Sequence, residues 1–502
     1  MRVDDPALAS PASPRSLRAV SVVGWLPLAA IVVLGAVLRF AGLGTQSLWF
    51  DEAATWELTR LPFGEMLDAL PHRESNPPLF YVLEWLTTRA LGESEAALRA
   101  LSAVAGTLLV AVAWAIGRRV GGTRVALATA ALIAVNPLLV WFSQEARNYE
   151  LVALLSAVSL LLFLRGLDDD RPRLLVWWAI VSALTLATHY FSCFVLAPQI
   201  AWLLWRHPRR GAVVGATAAL ALVTAALLPM LLEQRGNPYD IAQDAIAVRL
   251  VQIPKQFLLG YRGPLALPLG LLGTALAAGG AWLLLRRAAP QVRWRAMLVG
   301  GIGLCGIALP LLAAVAGADY LNTRNLLPAL VPLATALAAG FAAERRTGPA
   351  LLGLLCGISV AIVTAVAVSP GYQRADWEGL ARGLGVSREP RAIVIAPANG
   401  GLVLRYYRPE LTTLPLAGRP VREVDVVGVA GAAGPGAEQR LPDQVGTQFE
   451  APGFTGPDET RTERWVLQRY RSASPILVQP PRVASIRFSQ EPPNVSYLPP
   501  GR

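Results

Sequence analysis

Two carboxylates stand side by side at Asp51 and Glu52, directly after Leu48-Trp49-Phe50. A carboxylate held beside aromatics at a membrane interface can take a proton from an acceptor hydroxyl, and its neighbour can orient it or bind the acceptor. An acidic pair in a loop is also an ordinary helix cap or a solvated turn. The pair gains weight from the basic residues spaced along the chain. Arg147 lies in Gln144-Glu145-Ala146-Arg147-Asn148-Tyr149-Glu150, and Arg324 in Asp319-Tyr320-Leu321-Asn322-Thr323-Arg324-Asn325. Each stands at the end of an apolar segment and needs an anion. For Arg147 that anion is Glu145 or Glu150 or, functionally, a phosphate, which a guanidinium binds bidentately. Lys255 and His189 can add a cation and a donor, although a lone histidine at a segment end is commonly just interfacial. His72, Glu74 and Asn76, before Pro77-Pro78, are candidates to line an acceptor groove; Pro there also fits ordinary helix initiation.

These residues must be positioned by membrane elements. The 502 residues are 54% hydrophobic and 16% charged, with mean hydropathy +0.45, whereas soluble domains carry about 25% charged residues. Apolar runs of roughly 20 residues recur and imply a polytopic membrane protein with about eleven spans. The net charge of +11 does not call for nucleic acid, because the basic residues cluster at the ends of apolar runs. Arg118-Arg119, Arg165 to Arg173, Arg206 to Arg210, Arg286-Arg287 and Arg345-Arg346 follow alternate spans, and Arg15 and Arg18 precede the first. All of them therefore fall on the cytoplasmic side. The Asp51 loop, the His189 turn, the Lys255 loop and the C-terminal region fall outside. Arg39 and Arg99 also fall at outer span ends, where long side chains snorkel. The three cysteines (Cys193, Cys305, Cys356) lie in apolar segments, without metal-type spacing or a disulfide framework.

The expected organisation is a flexible cytoplasmic arm over 1–19, a transmembrane domain over 20–369, a small extracytoplasmic α/β domain over 370–472 and a disordered Pro-rich tail over 473–502. Within the transmembrane domain, the first outer loop (41–96) is too long to be a simple connector. Leu58, Leu61, Met66, Leu67 and Leu70 mark one amphipathic interfacial helix there, and Leu79 to Leu91 a second. The C-terminal region reads as an amphipathic stretch at Trp377–Leu384, strands at Arg391–Ala396, Val424–Val429 and Trp465–Tyr470, and a helix at Leu402–Tyr407.

Five motifs occur in order: Asp51-Glu52, Asn76-Pro77-Pro78-Leu79-Phe80-Tyr81, Ala146-Arg147-Asn148-Tyr149, Thr188-His189-Tyr190-Phe191 and Arg324-Asn325-Leu326-Leu327-Pro328. Together they resemble the bacterial members of glycosyltransferase family 39, GT-C-type enzymes related to protein O-mannosyltransferases and to the aminoarabinose transferases that modify lipid A. The resemblance covers roughly 20–370, and Gln373 to Trp377 also fits it. It implies a GT-C-type bundle of about eleven transmembrane helices in the plasma (inner) membrane. It also implies a single pentose or hexose carried on a polyprenyl phosphate and an extracytoplasmic glycan, lipid or protein as acceptor. Asp51 maps onto the family's base, with Glu52 beside it, and Arg147, Tyr149, Arg324, Lys255 and His189 fall on the donor-phosphate side. No Trp-Trp-Asp motif is present, which disfavours whole-glycan transfer to Asn. A neutralised polyprenyl phosphate is a good leaving group, so the chemistry needs a base and cations, and in-line attack inverts the sugar. A divalent metal is compatible with this chemistry but nothing in the sequence demands it. The main rival is a transporter or lipid flippase, which would place charges in span centres and repeats in the two halves. Here the charges sit at the rim. A scaffold that merely displays the C-terminal domain would give Asp51 no special role.

Overall fold

The computed structural model describes residues 22–169, 171–206, 210–235, 245–432, 439–441, 453–488 and 492–501. The N-terminal arm over 1–19 lies outside these residues. The bundle comprises α1 (Val22–Phe40), α2 (Phe50–Thr59), α3 (Phe63–Arg73), α4 (Leu79–Leu91), α5 (Glu95–Val135), α6 (Pro137–Ser143), α7 (Tyr149–Asp168), α8 (Pro172–Leu186), α9 (Cys193–Arg206), α10 (Arg210–Gln234), α11 (Ile246–Leu259), α12 (Ala266–Arg287), α13 (Pro290–Val315), α14 (Leu330–Ala342) and α15 (Thr347–Val368). Among the described residues, seven helical segments are long and apolar enough to cross a membrane: those of α5, α7, α10, α12, α13, α15, and Thr323–Ala342, which joins a 3-10 turn to α14. Trp25–Phe40 and α8 are apolar but shorter.

The apolar runs on either side of Arg118-Arg119 share one 41-residue helix, α5, broken inside by Gly121 (φ −156°) and Gly122 (φ +80°). Only glycine takes the second conformation without strain, and at Gly121 a Cβ would sit 2.6 Å from Val125. The second half of α5 stops at Asn136, whose Oδ1 accepts from Leu139 N (3.0 Å) while Pro137 opens α6. α5 packs against α1, α7 and α14 and forms the centre of the apolar core. Few polar ties cross this core. In one, Trp178 Nε1 donates to Gln199 Oε1 at 3.0 Å, which satisfies both groups away from water.

Three helices, not two, fill the first long loop. The extra one, α2, carries the acidic pair in its own first turn. Leu48, before it, and Phe50, Ala53 and Trp56, within it, pack against the C-terminal domain.

The C-terminal domain begins with α16 (Trp377–Leu384) and continues through β1 (Arg391–Ile395), α17 (Gly400–Tyr407), β2 (Thr412–Thr413), β3 (Arg419–Val429), β4 (Gly431–Ala432), β5 (Gln439–Arg440), β6 (Thr455–Arg461), β7 (Trp465–Val478), α18 (Pro480–Val483) and β8 (Asn494–Leu498). Six strands form one sheet in the order β2-β8-β1-β3-β7-β6, with β1 and β3 parallel and the other pairings antiparallel; β4 and β5 form a separate ribbon. The tail expected to be disordered over 473–502 is therefore part of the fold: β7 runs to Val478, and β8 lies between β2 and β1. Its prolines misled the compositional reading. Pro492-Pro493 and Pro499-Pro500 bracket Asn494–Leu498 without interrupting it, so the backbone donors needed for the ladder with β1 remain.

The domain locks onto α2 and the segment before it. Tyr407 Oη accepts from Leu48 N (2.8 Å), Ser47 Oγ accepts from Glu378 N (3.0 Å), Arg405 donates to Glu57 (3.0 Å), and the Tyr406 ring meets Trp56 edge-on at 5.1 Å.

Candidate active site

Consecutive helical positions point about 100° apart, so the first turn of α2 sends its two carboxylates in different directions. Glu52 turns into the protein and is fully buried. Its Oε1 accepts from Arg99 Nε (2.7 Å) and Ala146 N (3.0 Å), and its Oε2 from Arg99 Nη2 (2.8 Å) and Trp49 N (3.3 Å). Burial pushes this carboxyl's pKa up, but Arg99 and then Arg374 pull it further the other way, so it ends below the ordinary value. Glu52 thus fastens α2 to α5 and to the α6–α7 loop. Arg99 is correspondingly buried, not snorkelling, and Arg39 also turns inward, donating to the carbonyls of Gly35, Ile133 and Ala134.

Asp51 faces the other way and stays partly open, with a side chain 14% exposed; its Oδ2 accepts from Arg324 Nη1 at 3.1 Å. Arg324 is presented by the 3-10 turn Thr323–Ala329, whose cap Asn322 Oδ1 accepts from Arg324 N (3.2 Å). The guanidinium carbon lies 6.0 Å from the Tyr149 ring centroid, and that ring packs on Phe142 at 4.7 Å and faces His189 at 6.2 Å. His189 is buried, and its Nδ1 accepts from Phe191 N (3.1 Å). Burial pushes its pKa down to about 4 despite a hydrogen bond with Asn325, and Arg324 and Arg147 push the same way. His189 is therefore a neutral imidazole whose Nε2 alone can donate.

Arg147 lies just behind Asp51, with its charge already matched. It makes a fork to Glu74 (Nη1 to Oε1 2.7 Å, Nη2 to Oε2 3.1 Å) and reaches Thr55 Oγ1 (3.3 Å) and the Asp51 carbonyl (3.4 Å). Its carboxylate partner is thus neither Glu145 nor Glu150 but one from the α3–α4 turn. Asn76, in the same turn, is tied through its carbonyl to Gln234 Nε2 (3.2 Å). Two sequence candidates make their contacts elsewhere. Lys255 Nζ donates to the carbonyls of Gly260 and Tyr261 (both 2.9 Å), where it neutralises the C-terminal end of α11. His72 is 66% exposed and pairs with Glu233 at 3.2 Å. The structure therefore gathers Asp51, Arg324, Tyr149 and His189, backed by Glu52, Arg147 and Glu74.

Three further residues were not singled out from the sequence. Glu145, in the α6–α7 loop, is buried; its Oε2 accepts from Arg374 Nη2 (3.0 Å), and its Oε1 has no hydrogen-bond partner. Burial, opposed by Arg374 and reinforced by Glu52 and Asp51, raises its pKa to about 7. Arg374 lies between the bundle and the C-terminal sheet, with its guanidinium 4.5 Å from the Trp141 ring centroid. Arg262 lies 5.6 Å from the same ring and donates to the Gln373 carbonyl (2.6 Å). Burial, with Arg374 nearby, lowers the pKa of Arg262 to about 10, and among the described residues it has no carboxylate within ion-pair distance. The reasoning that marked Arg147 and Arg324, an arginine on the poorly basic side of the membrane, applies equally to Arg262 and would have found it.

Residues 75–232 match the family model for dolichyl-phosphate-mannose-protein mannosyltransferase. A solved structure of ArnT from Cupriavidus metallidurans bound to undecaprenyl phosphate superposes with a TM-score of 0.51 at 14% identity, covering 77% of this chain and 85% of that one. The chain shares the fold of that structure. Other similar structures score lower. The oligosaccharyltransferase AglB from Archaeoglobus fulgidus reaches 0.45 at 14% identity, with 71% of this chain and 57% of that one. The arabinosyltransferase EmbB from Mycobacterium smegmatis reaches 0.43 at 15%, with 89% and 49%. No curated protein sequence matches the chain. The segment matched by the family model includes Asn76, Arg147, Tyr149 and His189, but Asp51, Arg324 and the C-terminal domain lie outside it.

Proposed function

We propose that this GT-C-type protein is a glycosyltransferase that moves one sugar, a pentose or hexose, from a polyprenyl phosphate to a hydroxyl of an extracytoplasmic glycan, lipid or protein. The observation that carries this reading is the Asp51–Arg324 pair, a partly open carboxylate and a guanidinium 3.1 Å apart, at the end of an apolar bundle where a lipid phosphate would lie. The bundle makes about eleven crossings in the plasma membrane, and the positive-inside pattern puts α2 and the C-terminal domain on the outer side.

The chemistry follows from the groups present. The acceptor oxygen attacks the anomeric carbon, and Asp51 takes the hydroxyl proton as that bond forms. The bond from the anomeric carbon to the phosphate oxygen breaks on the opposite face, which inverts the sugar. Arg324 and Arg262 carry the negative charge that collects on the departing phosphate. Arg262 suits this role because no carboxylate occupies it, and Arg324 because it sits between Asp51 and the Tyr149 ring. Glu52 and Arg147 hold the frame: each is saturated by a buried partner. The test uses the purified protein in lipid with labelled polyprenyl-phosphate sugars. Wild type should transfer from one donor and Asp51→Asn should not. Full turnover by Asp51→Asn on a productive donor would refute the assignment of the base.

A further inference from the structure

Arg324 stands at the end of an irregular segment, 319–325, between α13 and α14, and a side chain of α11 grips that segment. Arg249, near the start of α11, is buried. Its Nη1 donates to Asp319 Oδ1 (2.8 Å) and to the Leu321 carbonyl (2.7 Å), and its Nη2 donates to Asp319 Oδ2. Asp319 Oδ1 also accepts from Leu321 N (3.2 Å), so the fork fixes the Leu321 backbone on both sides. Beyond it the segment is tied to itself. Asn325 Nδ2 donates to the Tyr320 carbonyl (2.9 Å) and Asn325 N to the Asn322 carbonyl (2.9 Å), beside the Asn322 cap on Arg324 N. Where Arg249 holds Leu321 therefore decides where Arg324 can reach.

The far end of α11 is fixed independently. Asn136 Nδ2 donates to the Phe257 carbonyl (2.7 Å), and Gly260 (φ +78°) closes on Pro137, where a Cβ would lie 3.0 Å from the proline Cβ. The chain then turns into Arg262, which donates to the Gln373 carbonyl. Arg249 and Leu259 are about 15 Å apart along the helix. The two cations assigned to the phosphate are thus held from opposite ends of one helix, Arg324 through the Arg249 fork and Arg262 through the backbone.

We propose that Arg249 is a positioning residue that, with Asp319, aims Arg324 at Asp51 and the donor phosphate. This deepens the glycosyl-transfer reading above and rests on it for Arg324 as a phosphate cation. Arg249 does not serve the phosphate itself, because both its terminal nitrogens already donate to the segment. A charge-assisted fork fixes direction as well as distance. Without it the segment loses its hold on α11, and Arg324 no longer lies on a fixed line to Asp51.

The test is the steady-state kinetics of transfer by the full-length protein in lipid, with donor and acceptor varied separately. Arg249→Gln should raise donor KM by about tenfold, the order of one charge-assisted hydrogen bond, and leave acceptor KM unchanged. In an Arg324→Gln background, Arg249→Gln should raise donor KM no further. In an Arg262→Gln background its effect should persist. Asp319→Asn, at a position 23% exposed, should give the same pattern and takes its place if Arg249→Gln does not fold. A variant that only reduced the folded fraction would lose kcat and keep donor KM. That outcome, or an undiminished effect in the Arg324→Gln background, overturns the proposal.

Hydrogen exchange on the same protein needs no substrate. In Arg249→Gln and in Asp319→Asn, the amides of Leu321, Arg324 and Asn325 should exchange faster than in wild type, while those of α14 keep their protection. Unaltered exchange over 319–325 also overturns the proposal. Should wild type transfer from no donor, the glycosyl-transfer reading falls, and exchange still decides whether Arg249 holds the segment that carries Arg324.

Discussion

Adjacent carboxylates that do different work should fail in different ways, and Asp51 and Glu52 allow that to be measured. Glu52→Gln removes a negative charge from a fully buried site while keeping the side chain's shape. Arg99 then remains buried without its counter-ion. Breaking a buried ion pair on one side costs about 3–5 kcal/mol. Arg99 also donates to the carbonyls of Leu43 (2.9 Å), Gln46 (2.8 Å) and Ser47 (3.1 Å), which places the expected loss near the lower end, at about 3 kcal/mol. Asp51→Asn removes only a partly exposed pair, with side chains 14% and 26% exposed. An ion pair at that exposure is worth about 0–1 kcal/mol. Its cost should instead appear in turnover, about 100- to 10,000-fold for a lost general base. Both proteins are melted in detergent and assayed for transfer with the productive donor. Asp51→Asn should melt with wild type and transfer almost nothing. Glu52→Gln should melt markedly lower and, well below its melting temperature, retain transfer. The reasoning is refuted if Glu52→Gln melts like wild type and loses as much turnover as Asp51→Asn.

Other outcomes follow from the same geometry. Arg262→Gln and Arg324→Gln should each raise KM for the lipid donor, whereas Lys255→Gln, whose ammonium serves a helix end, should leave donor KM unchanged; donor titrations separate them. The His189 pKa is depressed from 6.5 to about 4, so its contribution to stability is present above about pH 6.5 and lost as pH falls through 4. His189→Gln should flatten that part of the melting profile. Gly122→Ala forces a Cβ into a backbone at φ +80° and ψ −164° and should destabilise by about 1–3 kcal/mol, read as a lowered melting temperature.

The sequence made the architecture legible because a bilayer leaves few choices. Apolar runs of span length and alternating basic clusters locate the helices, and the order of the motifs brings Asp51, Tyr149, His189 and Arg324 together. What stayed hidden depends on which of two neighbours turns inward. Glu145 is a near neighbour of Arg147 along the chain and Glu74 is not, and only packing sends Glu74 to it and leaves Glu145 for Arg374. Lys255 looked like a free cation because a helix end, unlike a carboxylate, leaves no mark in composition. His72 looked like part of a groove because its motif is shared with Glu74 and Asn76, but its side chain points to Glu233. In the C-terminal domain, β8 was concealed by the prolines on either side of it, which in composition alone resemble a linker.

The placement of β8 has a consequence for biosynthesis. Residues 494–498 lie beside β1, inside the sheet, so the sheet is unfinished until residue 498 has left the ribosome and reached the face where α2 lies. Tyr407 and Arg464, which hold Leu48 and the Arg374 carbonyl, belong to elements that depend on that sheet. In a chain made from its N-terminus, the contacts that hold Leu48 and the Arg374 carbonyl therefore form after the apolar helices have all been made.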